Sequence, residues 1–108
     1  MVNFDQGDII VMDFNTQSGH EQAGRRPALV LSNNILNRHS SLALVCPITN
    51  TDKAHPFHIR LDERTKTTGV ILCDQVKMLD LRARNAEMKE KCPPDIWTEV
   101  KYLIISFL

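Results

Sequence analysis

A short polar segment between two apolar runs carries the densest set of reactive side chains in this 108-residue chain. Residues 19–27 read GHEQAGRRP and combine an imidazole, a carboxylate, an amide and two guanidiniums. Glycine-bounded polar segments between strands are typical of loops, where functional groups collect. We therefore predict a loop that either has a function or holds an ion pair between Glu21 and Arg26 that stabilises little.

One reaction suits these residue types without a metal ion. RNA is cut when a ribose 2′-hydroxyl attacks the adjacent phosphorus, which needs a base, a proton for the departing 5′-oxygen and cations for the phosphorane. His20 and Glu21 can exchange protons, and Arg25 and Arg26 can hold phosphate with planar forks. Thr49 can donate a hydrogen bond from its hydroxyl. Residue types alone support the catalytic and the structural interpretations of the loop equally.

Other kinds of site find less support in the sequence. Neither GxGxxG nor GxxxxGK[ST] occurs, and Ser18 and Ser32 lack the strand–turn–helix setting of a hydrolase nucleophile. His55 and His58 form an HxxH pair at a predicted loop–strand junction, where this spacing does not bring two side chains to one point. No cysteine or second acidic ligand stands beside them in the sequence. We therefore predict two solvated surface histidines, no metal site and no cofactor.

Length and composition indicate one domain spanning residues 1–108, with 43% hydrophobic residues for a single core. No apolar run approaches the roughly 20 residues of a membrane helix, and the N-terminus lacks the features of a signal peptide. Cys46, Cys73 and Cys92 form no CxxC pair. They are interpreted as small buried hydrophobic residues in a reducing compartment, which predicts a cytoplasmic protein without membrane contact.

The charge balance limits the mode of nucleic-acid binding. Thirteen basic and 13 acidic side chains give a formal net charge of zero, which argues against a generic nucleic-acid coat protein. A local basic cleft remains compatible with this balance. The arginines available for such a cleft are Arg25, Arg26, Arg38, Arg82 and Arg84.

Short apolar runs rich in β-branched residues predict strands at 9–14, 28–32, 42–46, 57–61 and 69–73. Residues 32–34 can cap a short helical turn at 35–38. Helix propensity and period-two alternation conflict over 84–91, and we favour a strand. A helix begins at 93–95 with an apolar stripe formed by Ile96, Val100, Leu103, Ile104 and Phe107. This order predicts a mainly β (α+β) fold, a small antiparallel β-barrel or rolled sheet with a C-terminal helix.

Six segments occur in this order: GDI at 7–9, GHEQAGRRPALVLS at 19–32, NR at 37–38, CPIT at 46–49, PF at 56–57 and TGVILCDQV at 68–76. Together they resemble the MazF/PemK (Kid) family of toxin endoribonucleases. The resemblance spans residues 7 to about 105, and the combination is far more specific than any one motif. It implies an SH3-like barrel of the MazF/PemK/CcdB type and a homodimer whose loops flank an RNA groove.

The resemblance also implies an activity and partners. Members cut single-stranded RNA, chiefly mRNA, sequence-selectively and without a metal ion, and thereby stop translation and growth. The expected products carry a 2′,3′-cyclic phosphate and a 5′-hydroxyl. The expected protein partner is a cognate antitoxin with an acidic, flexible segment that fills the RNA groove.

Five positions match functional residues of the family. They are the catalytic arginine and threonine, the loop glutamate and histidine, and a carboxylate proposed as base: Arg26, Thr49, Glu21, His20 and Asp74. The chain departs from Kid at Leu72, where Kid-like members have an arginine. A mechanism that needs that second arginine as acid does not transfer.

Physical chemistry distributes the roles among these five residues. Arginine side chains hold their proton up to a pKa above roughly 12, so Arg26 is assigned, with Thr49, to stabilising the phosphorane. The base is then Glu21 or Asp74. Free imidazole has a pKa near 6.5, which makes His20 the natural acid or orienting group.

Further side chains are predicted to contact RNA around this centre. Arg82 and Arg84 either bind the RNA backbone or solvate a turn. The predicted RNA-binding set is Arg25, Gln22, Arg38, Gln75, Arg82 and Arg84. Trp97 is expected in the core or a dimer interface, and Phe57 is expected at a core position.

Two other functions compete with the nuclease. One is a gyrase poison of the CcdB type, but that branch ends in a short Trp-containing tail, whereas this chain ends in ISFL at 105–108. The other is a non-catalytic binding barrel. The presence of Glu21, Arg26 and Thr49 argues against a degenerate toxin.

Overall fold

Every strand pairing that the structure describes is antiparallel. The structure is a computed structural model and describes residues 3–14, 24–52 and 54–108. Its elements are β1 (Asp8–Asp13), β2 (Arg25–Val30), α1 (Asn34–His39), β3 (Leu42–Thr49), β4 (His58–Arg60), β5 (Val70–Leu72), β6 (Lys77–Asp80), β7 (Glu87–Lys91) and α2 (Pro94–Ile105). This is a mainly β chain with a C-terminal helix, as predicted. No helix in the described ranges has the length and apolar character needed to cross a membrane.

The longest strand, β3, organises the sheet. The strands follow the order β4-β5-β3-β2-β1-β7, and β6 pairs with β3 outside this path. β3 pairs with β6 from Leu42 to Val45 and with β5 at Ile48 and Thr49. Pro47 falls in the gap between these two ladders, so its missing N–H removes no ladder bond on that edge. Among the described residues β4 and β7 do not pair, and the rolled sheet stays open.

Alternating side chains of the sheet build two hydrophobic cores, one on each face. The first contains residues such as Ile9, Leu29, Cys46, Ile48 and Ile71, and α2 covers it. The second contains Ile10, Met12, Ala28, Val30, Ala43, Val45 and Leu81. The predicted helical stripe is buried at its start but ends early, since Phe107 is 42% exposed.

The predicted loop through Pro27 was wrong for its last three residues. β2 begins at Arg25, and the register pairs Asp13 with Arg25, Met12 with Arg26 and Val11 with Pro27. The apolar run that suggested the strand begins only at residue 28. A cross-strand pair of opposite charges, Arg25 and Asp13, extends the ladder beyond it.

A β-bulge resolves the ambiguous stretch 84–91, whose C-terminal part is β7, as predicted. Ile9 pairs with Glu90 whereas Ile10 pairs with Met88, so Lys89 is an extra residue in the strand. The bulge explains why the alternation is interrupted. The short helix α1 is also confirmed, and its N-cap Asn33 accepts a hydrogen bond from the backbone N–H of Leu36 at 3.1 Å.

Candidate functional site

Arg26 and Thr49 lie on neighbouring strands at one end of the sheet. The β2–β3 ladder pairs Val30 with Val45 and Ala28 with Pro47. The ladder ends at this last pair, and Thr49 goes on to pair with Val70 of β5. Arg26 and Thr49 each lie two residues beyond the Ala28–Pro47 pair, so the alternation of side chains predicts that both lie on the face of Ala28 and Pro47. Both residues are half-buried.

The guanidinium of Arg26 has no acidic partner within residues 3–14, 24–52 and 54–108. Among the described residues it forms no ion pair and no hydrogen bond to another side chain. Its cross-strand neighbour in β1 is Met12, a buried core residue. A half-buried arginine beside apolar side chains attracts a phosphate or carboxylate more strongly than a fully exposed one, because less water screens its charge.

Arg25 lies on the opposite face of β2 and has two acidic partners. Its guanidinium contacts Asp13 at 3.1 Å and Glu87 at 3.0 Å, and it donates to the carbonyl of Val11 at 3.1 Å. The amide of Asn85 and the guanidinium of Arg25 together lower the pKa of Asp13. Arg25 therefore ties β2 to β1 and β7, and an RNA phosphate would have to compete with two carboxylates for it.

The hydroxyl of Thr49 is oriented by the backbone N–H of Thr51. Its Oγ1 accepts the N–H of Thr51 at 3.2 Å, which leaves the hydroxyl hydrogen free to donate elsewhere. Gly69 supports this arrangement, because its φ is +112° and an added Cβ would lie 2.2 Å from the carbonyl oxygen of Thr49. Gly69 is the positioning residue that the sequence analysis missed. A glycine as the first residue of the predicted strand 69–73 was the available signal.

Asp74 and Gln75 lie in the turn between β5 and β6. The turn is closed by a hydrogen bond from the N–H of Gln75 to the carbonyl of Leu72 at 3.1 Å. The Asp74 side chain is 35% exposed, and its Oδ1 lies 3.8 Å from Nε2 of His58. His58 is the cross-strand partner of Leu72. An imidazole therefore stands across the ladder from the position where Kid-like members have an arginine.

His55 is exposed, as predicted, but the predictions that His58 is a solvated surface residue and that the two side chains do not come together were wrong. The rings of His55 and His58 stack, with centroids 4.8 Å apart and planes inclined by 30°. A turn closed by the bond from the N–H of His58 to the carbonyl of His55 at 3.0 Å brings the two together. The His58 side chain is only 12% exposed. The error came from treating the HxxH spacing as extended chain.

Arg38 is bound to the N-terminal segment. It donates to the carbonyl of Phe4 at 2.9 Å and pairs with the carboxylate of Asp5. This contact fastens α1 to the chain before β1. Its role in RNA binding stays a prediction.

The remaining predicted contacts divide between described and undescribed parts of the chain. Arg82 is exposed in the turn before β7, and Arg84 donates to the carbonyl of Asp13 at 3.2 Å. Both arginines lie in the turn before β7, so RNA-backbone binding and solvation of the turn both stay predictions for them. The other predicted site residues, His20, Glu21 and Gln22, lie outside the described residues.

The three cysteines are buried and unpaired, as predicted. Burial raises the pKa of Cys73 to about 12 and that of Cys92 to about 11. It also raises the pKa of Cys46 well above its ordinary value. Thiols that hold their protons near neutral pH are poor nucleophiles.

The two aromatic predictions have different outcomes. Trp97 is partly buried and packs against the first core, as expected. Phe57 is 38% exposed, so its predicted core position was wrong. Its ring meets the edge of Phe107 with centroids 4.9 Å apart, because residue 57 precedes β4 and lies in the turn.

Comparison with known proteins decides the family. Residues 5–108 match the model of the PemK-like, MazF-like toxins of type II toxin–antitoxin systems. The chain belongs to this family. The endoribonuclease toxin MazF of Escherichia coli strain K12 is 42% identical over 91 residues, which cover 84% of this chain and 81% of that protein. The endoribonuclease PemK of Escherichia coli is 34% identical over 102 residues, covering 91% and 77%.

Solved structures of the PemK-like, MazF-like family share the fold. A crystal structure of MazE–MazF from Deinococcus radiodurans superposes with a TM-score of 0.89 at 39% identity, covering 96% of this chain and 94% of that one. MazF from the same organism gives a TM-score of 0.86. The predicted fold of the MazF/PemK type is therefore confirmed. Its sheet is rolled like a barrel, but its outer strands, β4 and β7, do not pair among the described residues.

Proposed function

We propose that this protein is the toxin of a type II toxin–antitoxin system and acts as a metal-independent endoribonuclease on single-stranded RNA, chiefly mRNA. The observation that carries this proposal is the half-buried Arg26, which has no acidic partner among the described residues and lies, like Thr49, two residues beyond the Ala28–Pro47 pair of the β2–β3 ladder. Family membership across residues 5–108 and relatives named endoribonucleases support it. They favour it over the gyrase-poison and non-catalytic alternatives.

Arg26 and Thr49 are assigned to the phosphate. As the ribose 2′-oxygen approaches phosphorus, negative charge grows on the non-bridging oxygens. A fixed cation and a hydroxyl donor aimed at these oxygens bind the transition state more tightly than the ground state. Thr49 suits this role because its Oγ1 already accepts the N–H of Thr51.

Proton transfers complete the reaction. A carboxylate, that of Glu21 or Asp74, takes the proton of the 2′-hydroxyl while the bond from O2′ to phosphorus forms. The bond from phosphorus to O5′ breaks, and His20 supplies or orients the proton that the leaving oxygen takes. The products carry a 2′,3′-cyclic phosphate and a 5′-hydroxyl.

The same electrostatics suit an acidic partner. A carboxylate-rich, flexible segment of a cognate antitoxin would neutralise Arg26 and block the RNA groove. A Deinococcus radiodurans relative has been solved as MazE–MazF. We assign the protein to the cytoplasm, as a homodimer whose two copies flank the groove.

Cleavage of a defined single-stranded RNA pool in excess EDTA tests the proposal. The wild type is expected to cut at a short motif and leave cyclic phosphate ends. The cleavage rate of Arg26→Ala is expected to be lower by a factor of about a hundred or more. The matched control is Arg64→Ala, because Arg64 is occupied by Asp62 and Asp95. Intact RNA with the wild type, or full activity in Arg26→Ala, contradicts the nuclease assignment.

A further inference from the structure

Three side chains that are distant in the sequence meet at the start of β4. His55 lies in the connection before β4, His58 is the first residue of that strand, and Asp74 lies in the turn after β5. One donor atom from each lies within 4.8 Å of the other two. Imidazole nitrogens and carboxylate oxygens are ligands that zinc takes in proteins. These three residues are called the histidine–aspartate cluster below.

The separation of His58 and Asp74 suits a shared ion better than a direct bond. The 3.8 Å between Nε2 and Oδ1 exceeds hydrogen-bond range. Zinc binds such atoms at roughly 2.0–2.2 Å, so two ligand atoms on a tetrahedral ion lie roughly 3.4 Å apart. A small rotation of the partly exposed Asp74 side chain therefore brings both atoms onto one ion.

His58 has one ring nitrogen buried without a partner and directs the other toward Asp74. Its Nδ1 is buried, and in the described part of the chain it is the one buried side-chain nitrogen or oxygen without a hydrogen-bond partner. A buried polar atom without a partner destabilises the fold. The ring nevertheless directs Nε2 toward Asp74 while it stacks on His55. Nε2 is therefore the ring nitrogen of His58 that can bind an ion beside Asp74.

We propose that the histidine–aspartate cluster binds a zinc ion. Two nitrogens and one carboxylate oxygen form a donor set suited to zinc and unsuited to magnesium, which prefers all-oxygen ligands. Three protein ligands leave the fourth position for water. His55 and Asp74 are both exposed, so the ion reaches the cluster from solvent.

The cluster binds zinc as an exchangeable ion. Nδ1 of His55 accepts the backbone N–H of Phe57 at 3.1 Å, and that bond is lost whichever ring nitrogen takes the metal. Within the described residues neither ring donates to an acceptor that would fix it for ligation. Zinc therefore binds more weakly here than in a structural site, and free zinc controls the occupancy.

Zinc binding is measured on the full chain by competition with a chromogenic zinc indicator. The variants are His55→Gln, His58→Gln and Asp74→Asn, and the control is His39→Gln, which removes an exposed histidine of α1. One ion per chain is expected in the wild type and the control, with about tenfold or greater loss of affinity in each cluster variant. Equal affinity in all the proteins overturns the proposal.

Two further measurements check that the loss of zinc affinity comes from the cluster and not from unfolding or from a site elsewhere. Circular dichroism checks each fold, and the exposed positions His55 and Asp74 keep the test valid when His58→Gln, at the more buried position, unfolds. A large excess of magnesium chloride is expected not to displace zinc. Displacement by magnesium would show an all-oxygen site elsewhere and would contradict the cluster.

If Asp74 rather than Glu21 is the base, bound zinc also inhibits RNA cleavage, because it occupies the carboxylate of Asp74. This consequence rests on the proposed function, whereas zinc binding does not. Cleavage is measured for each protein with added zinc and divided by its own rate in EDTA. Zinc is expected to slow the wild type and His39→Gln but not His55→Gln, and equal slowing in all three overturns the inhibitory role. A wild type inactive even in EDTA contradicts the nuclease, while the indicator titration still tests the cluster.

Discussion

Arg25 and Arg26 are consecutive residues whose side chains lie on opposite faces of β2. Arg25 forms ion pairs with Asp13 and Glu87, whereas Arg26 has no acidic partner among the described residues. The two neighbouring guanidiniums therefore have different surroundings. The guanidinium of Arg25 joins three strands, and that of Arg26 is proposed to bind the RNA phosphate.

Alanine substitutions at these two positions should separate stability from activity. Arg25→Ala is expected to lower the free energy of unfolding by about 0.5–1 kcal/mol, because its ion pairs are partly exposed. Arg26→Ala should leave stability nearly unchanged and remove most cleavage. Urea unfolding, followed by circular dichroism, measures the first effect, and RNA cleavage measures the second. A larger loss of stability in Arg26→Ala than in Arg25→Ala would contradict the assignment.

The contact between Gly69 and Thr49 predicts a second effect. Gly69→Ala places a Cβ 2.2 Å from the carbonyl oxygen of Thr49, so the strand end must move. The control is Gly7→Ala, since Gly7 also has a positive φ, +90°, but an added Cβ meets nothing within 4 Å. Left-handed strain alone costs about 1–2 kcal/mol. Gly69→Ala should exceed that loss in urea unfolding and also reduce cleavage, and equal losses in both variants would show that the clash is relieved without cost.

The sequence predicted the elements whose apolar patterns are strong. Helix α2, strand β3 and the second half of β2 were found because periodic burial fixes their faces. The start of β2 was missed because it consists of two charged residues and a proline rather than an apolar pattern, and its first residue, Arg25, is held by the ion pair with Asp13. The contact between His55 and His58 was missed because the number of residues between two side chains does not show whether the backbone between them is extended or forms a turn.

The site was predictable only in part for a related reason. The register of β2 against β3 brings Arg26 and Thr49 to the same end of the sheet, each two residues beyond the Ala28–Pro47 pair, and register follows from the alternation of buried residues. The proximity of His58 to Asp74 depends on two turns that fold toward each other. Turn conformation carries no periodic signal, so sequence patterns give no access to it.

The hydroxyl of Thr49 should be tested apart from its shape. Thr49→Val keeps the β-branched volume and removes the donor, so cleavage should fall about ten- to hundredfold. Thr49→Ser keeps both the donor and the acceptor for the N–H of Thr51 and should retain most activity. Single-turnover cleavage rates separate the two variants. Equal rates in Thr49→Val and the wild type would remove Thr49 from the phosphate site.

Acid should weaken the contact between Glu90 and the loop at 62–68. Burial raises the pKa of Glu90, but bonds from the Thr67 hydroxyl at 2.6 Å and the N–H groups of Thr67 and Lys66 outweigh it and lower that pKa. Because the folded-state pKa lies below the unfolded value, this stabilisation is complete above about pH 4.3 and is lost as pH falls through the folded pKa. Glu90→Gln should therefore lower the free energy of unfolding by about 1–3 kcal/mol at pH 7 and by less near pH 3. Urea unfolding across this range, with exposed Glu63→Gln as control, checks it, and a pH-independent difference would contradict the argument.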